Sequence, residues 1–343
     1  MSIFDVNKIP QVRVIINTFC GKKCKYCRPT GESSLQSKDG DFVLLQNASA
    51  VLLLQGHKEF RLTGGEPLLC KISDLCSYIS YLKENGASKI SLVTRHGKGR
   101  SHFPTLRQAG LDSISFSIDS LDTTQWLDYC GLPDDKAHEH AELLVAAEEA
   151  HRHGFDVSIN CVVLNSTSDE QVERLMEFAF RCKASLKLEE LIRDIDPHGV
   201  SLHRSLDSIV DHFRLFAIKE EIVFAPGGLG HPMLCLSMGN GGVVLFKQLT
   251  AGGWYAPTCQ KCEHFPCDDA LMALRLQPEG ALQVCLKRND NLLSLRESLL
   301  CGNRKDAELL AAEALGIFRS AEFFTAEEIE IRRFQKPSPA ENR

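Results

Sequence analysis

Between about residues 11 and 193, short apolar segments alternate with longer segments of helical periodicity, and this alternation restricts the chain to a parallel β/α architecture. Strands are expected at residues 12–18, 59–62, 90–94, 113–117, 157–163 and 186–191, and helices at 42–55, 72–85, 105–109, 134–153 and 168–181. The strands are rich in Val, Ile and Leu, as parallel strands covered on both faces are. Gly86, Gly110 and Gly154 read as helix C-caps. Ser168-Asp-Glu-Gln171 reads as a capping box opening the last helix. Six β/α units suit an open, partial (β/α)6 barrel of the TIM type, whose chemistry gathers at the C-terminal ends of strands.

Notable residues fall at those ends. After the first strand comes Cys20-Gly-Lys-Lys-Cys24-Lys-Tyr26-Cys27. Three thiolates on one tight loop can grip three irons of a cubane cluster, and with no fourth cysteine nearby the last iron stays open to a small molecule. A zinc site draws its ligands more naturally as two pairs, and buried or incidental thiols are the bland alternative. Lys22, Lys23 and Lys25 suggest an exposed loop that favours thiolates. The second strand leads into Leu62-Thr63-Gly64-Gly65-Glu66-Pro67-Leu68-Leu69, the third into Thr94-Arg95-His96, the fourth into Ser117-Ile-Asp119. Asn160 lies in the fifth strand, and Glu189 and Glu190 end the sixth.

The triplet Cys20, Cys24, Cys27, with Tyr26 before its last cysteine and Gly64–Pro67 downstream, resembles the radical S-adenosylmethionine (SAM) superfamily. The resemblance implies a [4Fe–4S] cluster on the three cysteines, with SAM chelating the open iron. It places Gly64, Gly65, Glu66 and Pro67 against SAM, with Glu66 at the methionine ammonium and Tyr26 at the adenine pocket. The two glycines are expected to let the backbone approach the ligand closely. Ser117 and Asn160 match positions that touch SAM, and Thr94 does so less well because Arg95-His96 replace a Thr-Asn-Gly style of sequence. The implied chemistry is one-electron cleavage of SAM to a 5′-deoxyadenosyl radical that abstracts hydrogen, with a reductase, flavodoxin or ferredoxin as electron donor.

A break near residues 194–211 divides the chain as 1–10 lead-in, 11–195 barrel, 196–300 auxiliary domain and 301–343 helical segment with a frayed tail. In the third part, residues 221–224 and 233–249 read as β structure. Cys259, Cys262, Cys267 and Cys285 form a second ligand group, equally a zinc ribbon by spacing. Behind such a barrel, it resembles the auxiliary [4Fe–4S] domains of the superfamily, and residues 273–286 resemble the GTP 3′,8-cyclases of molybdenum-cofactor biosynthesis. Those have three auxiliary cysteines; Cys267 is a fourth here, and spacing leaves three-fold and four-fold ligation open. Cys70 and Cys161 are candidates to face the cavity, and the remaining cysteines read as core or surface thiols. In the last segment Leu309, Leu310, Leu315, Ile317 and Phe318 form an apolar side packing on the barrel.

Composition excludes several classes. A formal net charge of −6 argues against general nucleic-acid binding. No apolar run is long enough for a bilayer, and no signal peptide is evident, so a cytoplasmic protein is expected. Fourteen cysteines then argue for metal ligation over disulfides. Against the cyclase pattern, Arg13 and Arg275 match substrate-contacting arginines, while Cys70, Ser158 and Ala273 replace cations. The chain also ends Pro339-Ala-Glu-Asn-Arg343 where the cyclases close on Gly-Gly. The expectation is therefore a small substrate less charged than GTP: a nucleoside, sugar or specialised metabolite. The alternatives are GTP cyclisation, peptide modification and a non-enzymatic iron–sulfur protein. Peptide-modifying enzymes often carry a leader-binding domain ahead of the barrel, and nineteen residues precede Cys20 here.

Overall fold

The computed structural model describes residues 7–27, 39–192, 199–288 and 290–334. The expected frayed tail, residues 336–343, lies outside them. Six strands, β1 (Gln11–Ile15), β2 (Glu59–Thr63), β3 (Lys89–Thr94), β4 (Ser113–Ser117), β5 (Asp156–Val163) and β6 (Ser185–Glu190), pair in sequence order and in parallel. Between them run the helices α1 (Phe42–Leu54), α2 (Ile72–Glu84), α3 (Phe103–Gln108), α4 (Thr123–Cys130), α5 (Ala137–Ala150) and α6 (Asp169–Arg181). The expected caps are present: Gly86, Gly110 and Gly154 have positive φ, and Ser168 and Gln171 close a reciprocal capping box. Of the helices in this part, only α4 has no counterpart in the sequence reading.

The remaining elements are α7 (Gly199–Leu202), α8 (Asp207–Arg214), β7 (Ala217–Val223), β8 (Met233–Met238), β9 (Val243–Lys247), β10 (Gly253–Tyr255), α9 (Pro257–Gln260), β11 (Ala273–Leu276), β12 (Ala281–Gln283), β13 (Leu292–Ser294), α10 (Arg296–Leu300), α11 (Arg304–Arg319), β14 (Glu322–Phe324) and α12 (Ala326–Phe334). Strand β9 joins β6 in parallel and β11 joins β1 in parallel, so the C-terminal third adds to both edges of the barrel sheet. The result is one open 12-stranded sheet in the order β13-β12-β11-β1-β2-β3-β4-β5-β6-β9-β8-β7. The C-terminal helical segment differs from expectation in two ways. Strand β14 interrupts it, pairing with β10, and Leu309 is 62% exposed; Leu315 and Phe318 are buried as expected, joined by Ala307, Ala311 and Ala314, with Leu310 and Ile317 packed beside them.

Register decides what the two faces of the sheet carry. Val12, Val14, Phe60, Leu62, Ile90, Leu92, Ile114, Phe116, Ile159, Leu186 and Leu188 alternate onto one face and are buried in the core with the helices. The other face carries Arg13, Arg61, Ser91, Ser115, Ser158, Asn160 and Lys187, which line a central cavity of about 300 Å³. The strands are therefore not uniformly apolar, as expected from sequence; they alternate, because the inner face lines a polar cavity.

Candidate active site

Asn17, just past β1, fastens the cysteine loop to the end of β2. Its carbonyl accepts from Gly65 N–H at 2.8 Å, its amide Nδ2 donates to the Glu66 carbonyl at 2.8 Å, and its Oδ1 accepts from Glu66 N–H at 3.0 Å. A Cβ on Gly64 would stand 2.4 Å from the Asn17 oxygen, and one on Gly65 would stand 2.2 Å from the Phe19 oxygen. The chain's own loop makes one close approach that demands these glycines, at Asn17 and Phe19 just ahead of Cys20. Pro67, buried, starts the short helical turn that follows.

Glu66 is 1% exposed. One carboxylate oxygen accepts from Thr94 Oγ1 (2.8 Å) and Leu68 N–H (3.2 Å), the other from Arg95 N–H (2.9 Å). It thereby ties the end of β2 to the end of β3, and both Glu66 and Thr94 use their side chains on each other. Burial pushes the Glu66 carboxyl up to about 7 from its ordinary 4.5. A raised folded value means the native state holds this proton more tightly than the unfolded chain. The group's stabilising contribution is full below about pH 4.5 and falls as pH rises to about 7, by about 3 kcal/mol in all. Denaturation of the metal-free chain at pH 5 and pH 7.5 is expected to show this loss, and Glu66→Gln is expected to flatten it. An unchanged pH slope in that variant would reassign the effect.

The cysteine loop is pinned to the end of α4 by backbone bonds, Lys23 N–H to Cys130 O and Lys25 N–H to Tyr129 O, both 2.9 Å. Lys23 and Lys25 are exposed as expected, but Lys22 is 6% exposed, paired with Glu139 at 2.6 Å and lying over the Trp126 ring. Of the loop lysines, Lys22 favours the Cys24 thiolate, though less than other groups do. The Cys24 thiol is drawn down to about 6, first by a hydrogen bond from Cys130 and, after the opposing effect of burial, by the Arg95 charge. Burial instead lifts Cys20 to about 12, and its carbonyl faces His96 Nε2 at 3.2 Å. Tyr26 turns its hydroxyl to Asp119 and Arg95. Ser117 and Asn160 are register partners on adjacent strands.

Among the described residues, no three Cys, His, Asp or Glu side chains gather closely enough to hold a single metal ion. A tetrahedral zinc would draw its sulfurs to about 3.8 Å from one another, given Zn–S near 2.3 Å. A four-iron cube spreads its thiolates wider. In the second group, Cys259, Cys262, Cys267 and Cys285 all line one cavity of about 250 Å³. Four thiols around a single cavity of this size are a donor set that a cluster fits. The loop of Cys285 is fastened by Asn291, whose Oδ1 accepts from Val284 and Cys285 N–H at 3.1 Å each, and Tyr255 donates to the Cys267 carbonyl at 2.7 Å. Reconstituted protein is expected to hold about eight irons per chain. Stoichiometric zinc without iron in the second group would contradict that.

Cys70 and Cys161 are both buried. Cys70 Sγ lies 3.0 Å from the Pro67 carbonyl, Cys161 Sγ lies 3.7 Å from the Asp119 carbonyl, and neither lines the central cavity. The cavity wall instead carries cations that the sequence reading passed over. Arg61 and Lys247, the latter 5% exposed, make no hydrogen bond or ion pair among the described residues. Arg13, whose Nη2 reaches Met272 Sδ at 3.7 Å, has a buried Nε without a partner. Burial and the neighbouring Arg13 charge pull Arg61 down to about 10. Burial pulls Lys187 down to about 8 even though it pairs with Glu189 at 2.8 Å. Arg275, in register with Arg13, is 3% exposed and lies within electrostatic reach of Cys285. The cations cluster because Arg13, Arg61 and Arg275 share one register position across three strands. The alternation of Glu59, Arg61 and Thr63 along β2 was the signal for them.

A parallel sheet that opens a thiol-rich loop at one strand end is the architecture of enzymes that do radical chemistry on SAM, and residues 14–179 match the family model of the radical SAM superfamily. The chain carries a radical SAM domain over that stretch and is a radical SAM enzyme. It is 28% identical over 312 residues to the GTP 3′,8-cyclase of Crocosphaera subtropica, covering 87% of each chain. It is 27% identical over 312 residues to that of Campylobacter fetus, covering 87% of this chain and 86% of the relative. A probable GTP 3′,8-cyclase of Methanothermobacter marburgensis is 25% identical over 339 residues, covering 92% and 97%. In fold, it resembles Streptococcus suis SuiB bound to S-adenosylmethionine, with a TM-score of 0.58 and 14% identity, over 84% of this chain and 63% of that one. Among the described residues, no helix is long and apolar enough to cross a membrane.

Proposed function

We propose that this enzyme takes GTP and joins its ribose C3′ to guanine C8. The observation that carries the reading is the cluster of cations on the cavity wall, Arg13, Arg61, Lys187 and Lys247, which together act on the one carboxylate of Glu189. Desolvated cations that outnumber the carboxylate they share are costly, and a phosphate chain would relieve them. Cys70, Ser158 and Ala273 still stand where cyclases carry cations, but Arg61, Lys187 and Lys247 supply charge from other positions. That favours the GTP alternative over a less charged substrate. Sequence similarity to named GTP 3′,8-cyclases along most of the chain supports it.

Cys20, Cys24 and Cys27 would hold the N-terminal cluster, and Cys259, Cys262, Cys267 and Cys285 the second. When bound, the N-terminal cluster supplies the electron that splits SAM and yields the radical that removes a substrate hydrogen. Gly64–Pro67, Tyr26, Thr94, Ser117 and Asn160 are the residues assigned to the SAM side of the site. The residues' own work is positional. Asn17 and the two glycines seat the cysteine loop, Arg13, Arg61 and Lys247 hold phosphate oxygens, and Arg275 stands toward the second cluster. Serines line the cavity between, with Ser158 donating to Ser115 Oγ at 2.7 Å. Such a wall offers hydroxyl partners to a ribose. The test is to incubate reconstituted protein with SAM, dithionite and GTP and to search for 3′,8-cyclised GTP by mass spectrometry. Its appearance at a rate above uncoupled SAM cleavage is expected; 5′-deoxyadenosine without any altered nucleotide would overturn the assignment.

A further inference from the structure

The Arg95-His96 pair stands where the superfamily resemblance implies a Thr-Asn-Gly style of sequence. The Arg95 side chain is 12% exposed, and its guanidinium reaches three groups. Nη1 donates to Asp119, itself 1% exposed, at 2.5 Å, and approaches Cys130 Sγ at 3.7 Å; Nη2 donates to the Tyr26 hydroxyl. The Arg95 guanidinium carbon also lies 5.6 Å from the centre of the Tyr26 ring. Tyr26 sits between Cys24 and Cys27, and Cys130 is the hydrogen-bond partner of Cys24. A buried ion pair thus touches the cysteine loop on its inner side. Asp119 is held in turn by Val162 N–H at 3.0 Å, so the pair is fixed to the barrel and not to the loop alone. Two other charges near the loop are already engaged: Lys22 pairs with Glu139, and Glu66 accepts three hydrogen bonds.

We infer that Arg95 is a positioning residue for the N-terminal cluster, tethering the Cys24–Cys27 loop through Tyr26 and, balanced against Asp119, setting the cluster's reduction potential. Reduction adds a negative charge beside this pair. A neighbouring cation favours that charge and a neighbouring carboxylate opposes it. Removing the two partners one at a time therefore shifts the potential in opposite directions. A role confined to packing would disturb the loop alike in both cases. The inference rests on Cys20, Cys24 and Cys27 holding the cluster.

The experiment is a reductive titration of the reconstituted full chain, following the paramagnetic signal that changes on adding SAM. Arg95→Gln is expected to lower the reduced-to-oxidised ratio at fixed potential roughly tenfold, about 59 mV for a one-electron couple. Asp119→Asn keeps a side-chain partner for Tyr26 and is expected to raise the ratio by a similar factor. Arg95→Lys keeps the charge and is expected to stay within about threefold of the unsubstituted chain. Should Arg95→Gln fail to load iron, the other two variants still decide. An unshifted Asp119→Asn variant, or shifts of the same sign at both positions, overturns the inference. Absence of any SAM-responsive signal before substitution would instead tell against the cysteine ligands.

Discussion

Replacing Gly65 with valine is expected to cut the iron content from about eight to about four per chain and to reduce SAM cleavage to background. The reason is distance. The Phe19 backbone occupies the place of a Gly65 side chain, with its oxygen, carbon and nitrogen 2.2, 2.3 and 2.6 Å from an added Cβ. Backbone atoms cannot rotate aside as a flexible side chain can. The cost falls at or above the upper end of ordinary overpacking, about 3 kcal/mol, and is met by displacing the loop between Asn17 and Cys20. Cys20 then leaves its place beside Cys24, and the second group should keep its cluster because its fastenings, Asn291 and Tyr255, belong to the C-terminal third. Gly316→Ala in α11 is the control: nothing lies within 4 Å of its added Cβ, and the substitution should stabilise by up to about 1 kcal/mol. Iron and sulfide analysis with quantified 5′-deoxyadenosine reads the result. Full iron and normal cleavage in the Gly65→Val variant would show that the loop does not depend on this contact.

Arg61→Gln should weaken GTP roughly 10- to 100-fold, corresponding to one lost charge-assisted contact of about 1.5–3 kcal/mol. Arg13→Gln should behave alike, and substrate-free SAM cleavage should be unchanged in both. The Arg61 variant carries a second, opposite expectation. In the nucleotide-free protein, Arg61 is desolvated and stands beside Arg13, and these two effects outweigh its attraction to Glu189. Its removal relieves repulsion, so the melting temperature of the unliganded chain should rise as affinity falls. Calorimetric titration with GTP and thermal melting without it read the two effects. Unchanged affinity with a lower melting temperature would make Arg61 a structural residue.

Much of this could be read before the fold was seen. The β/α alternation located all six barrel strands because their core faces are mostly Val, Ile, Leu and Phe. The strand-end motifs fell where a barrel puts them. What escaped belonged to contacts between segments far apart in sequence. Asn17 gains its role only when the β1 loop meets Gly65, and Arg95, at the end of β3, only when the β1 loop, the end of β4 and α4 bring Tyr26, Asp119 and Cys130 to it. Arg61 and Lys247 were legible as charges in strands but not as neighbours of Arg13. Comparing cations position by position finds losses such as Ser158 and misses replacements that arrive from another strand. Lys22 misled for a related reason: its partners Glu139 and Trp126 lie more than a hundred residues away.

The central claim is that a radical formed beside the cysteine loop acts on a nucleotide held by the cavity cations. A bond between C3′ and C8 can form only once the C3′ hydrogen has gone. Incubating the reconstituted chain with SAM, dithionite and GTP carrying deuterium at C3′ tests this directly. Singly deuterated 5′-deoxyadenosine, seen by mass spectrometry with the labelled nucleotide and not with unlabelled GTP, is the result predicted. Undeuterated 5′-deoxyadenosine, released at the same rate with or without the nucleotide, would contradict it.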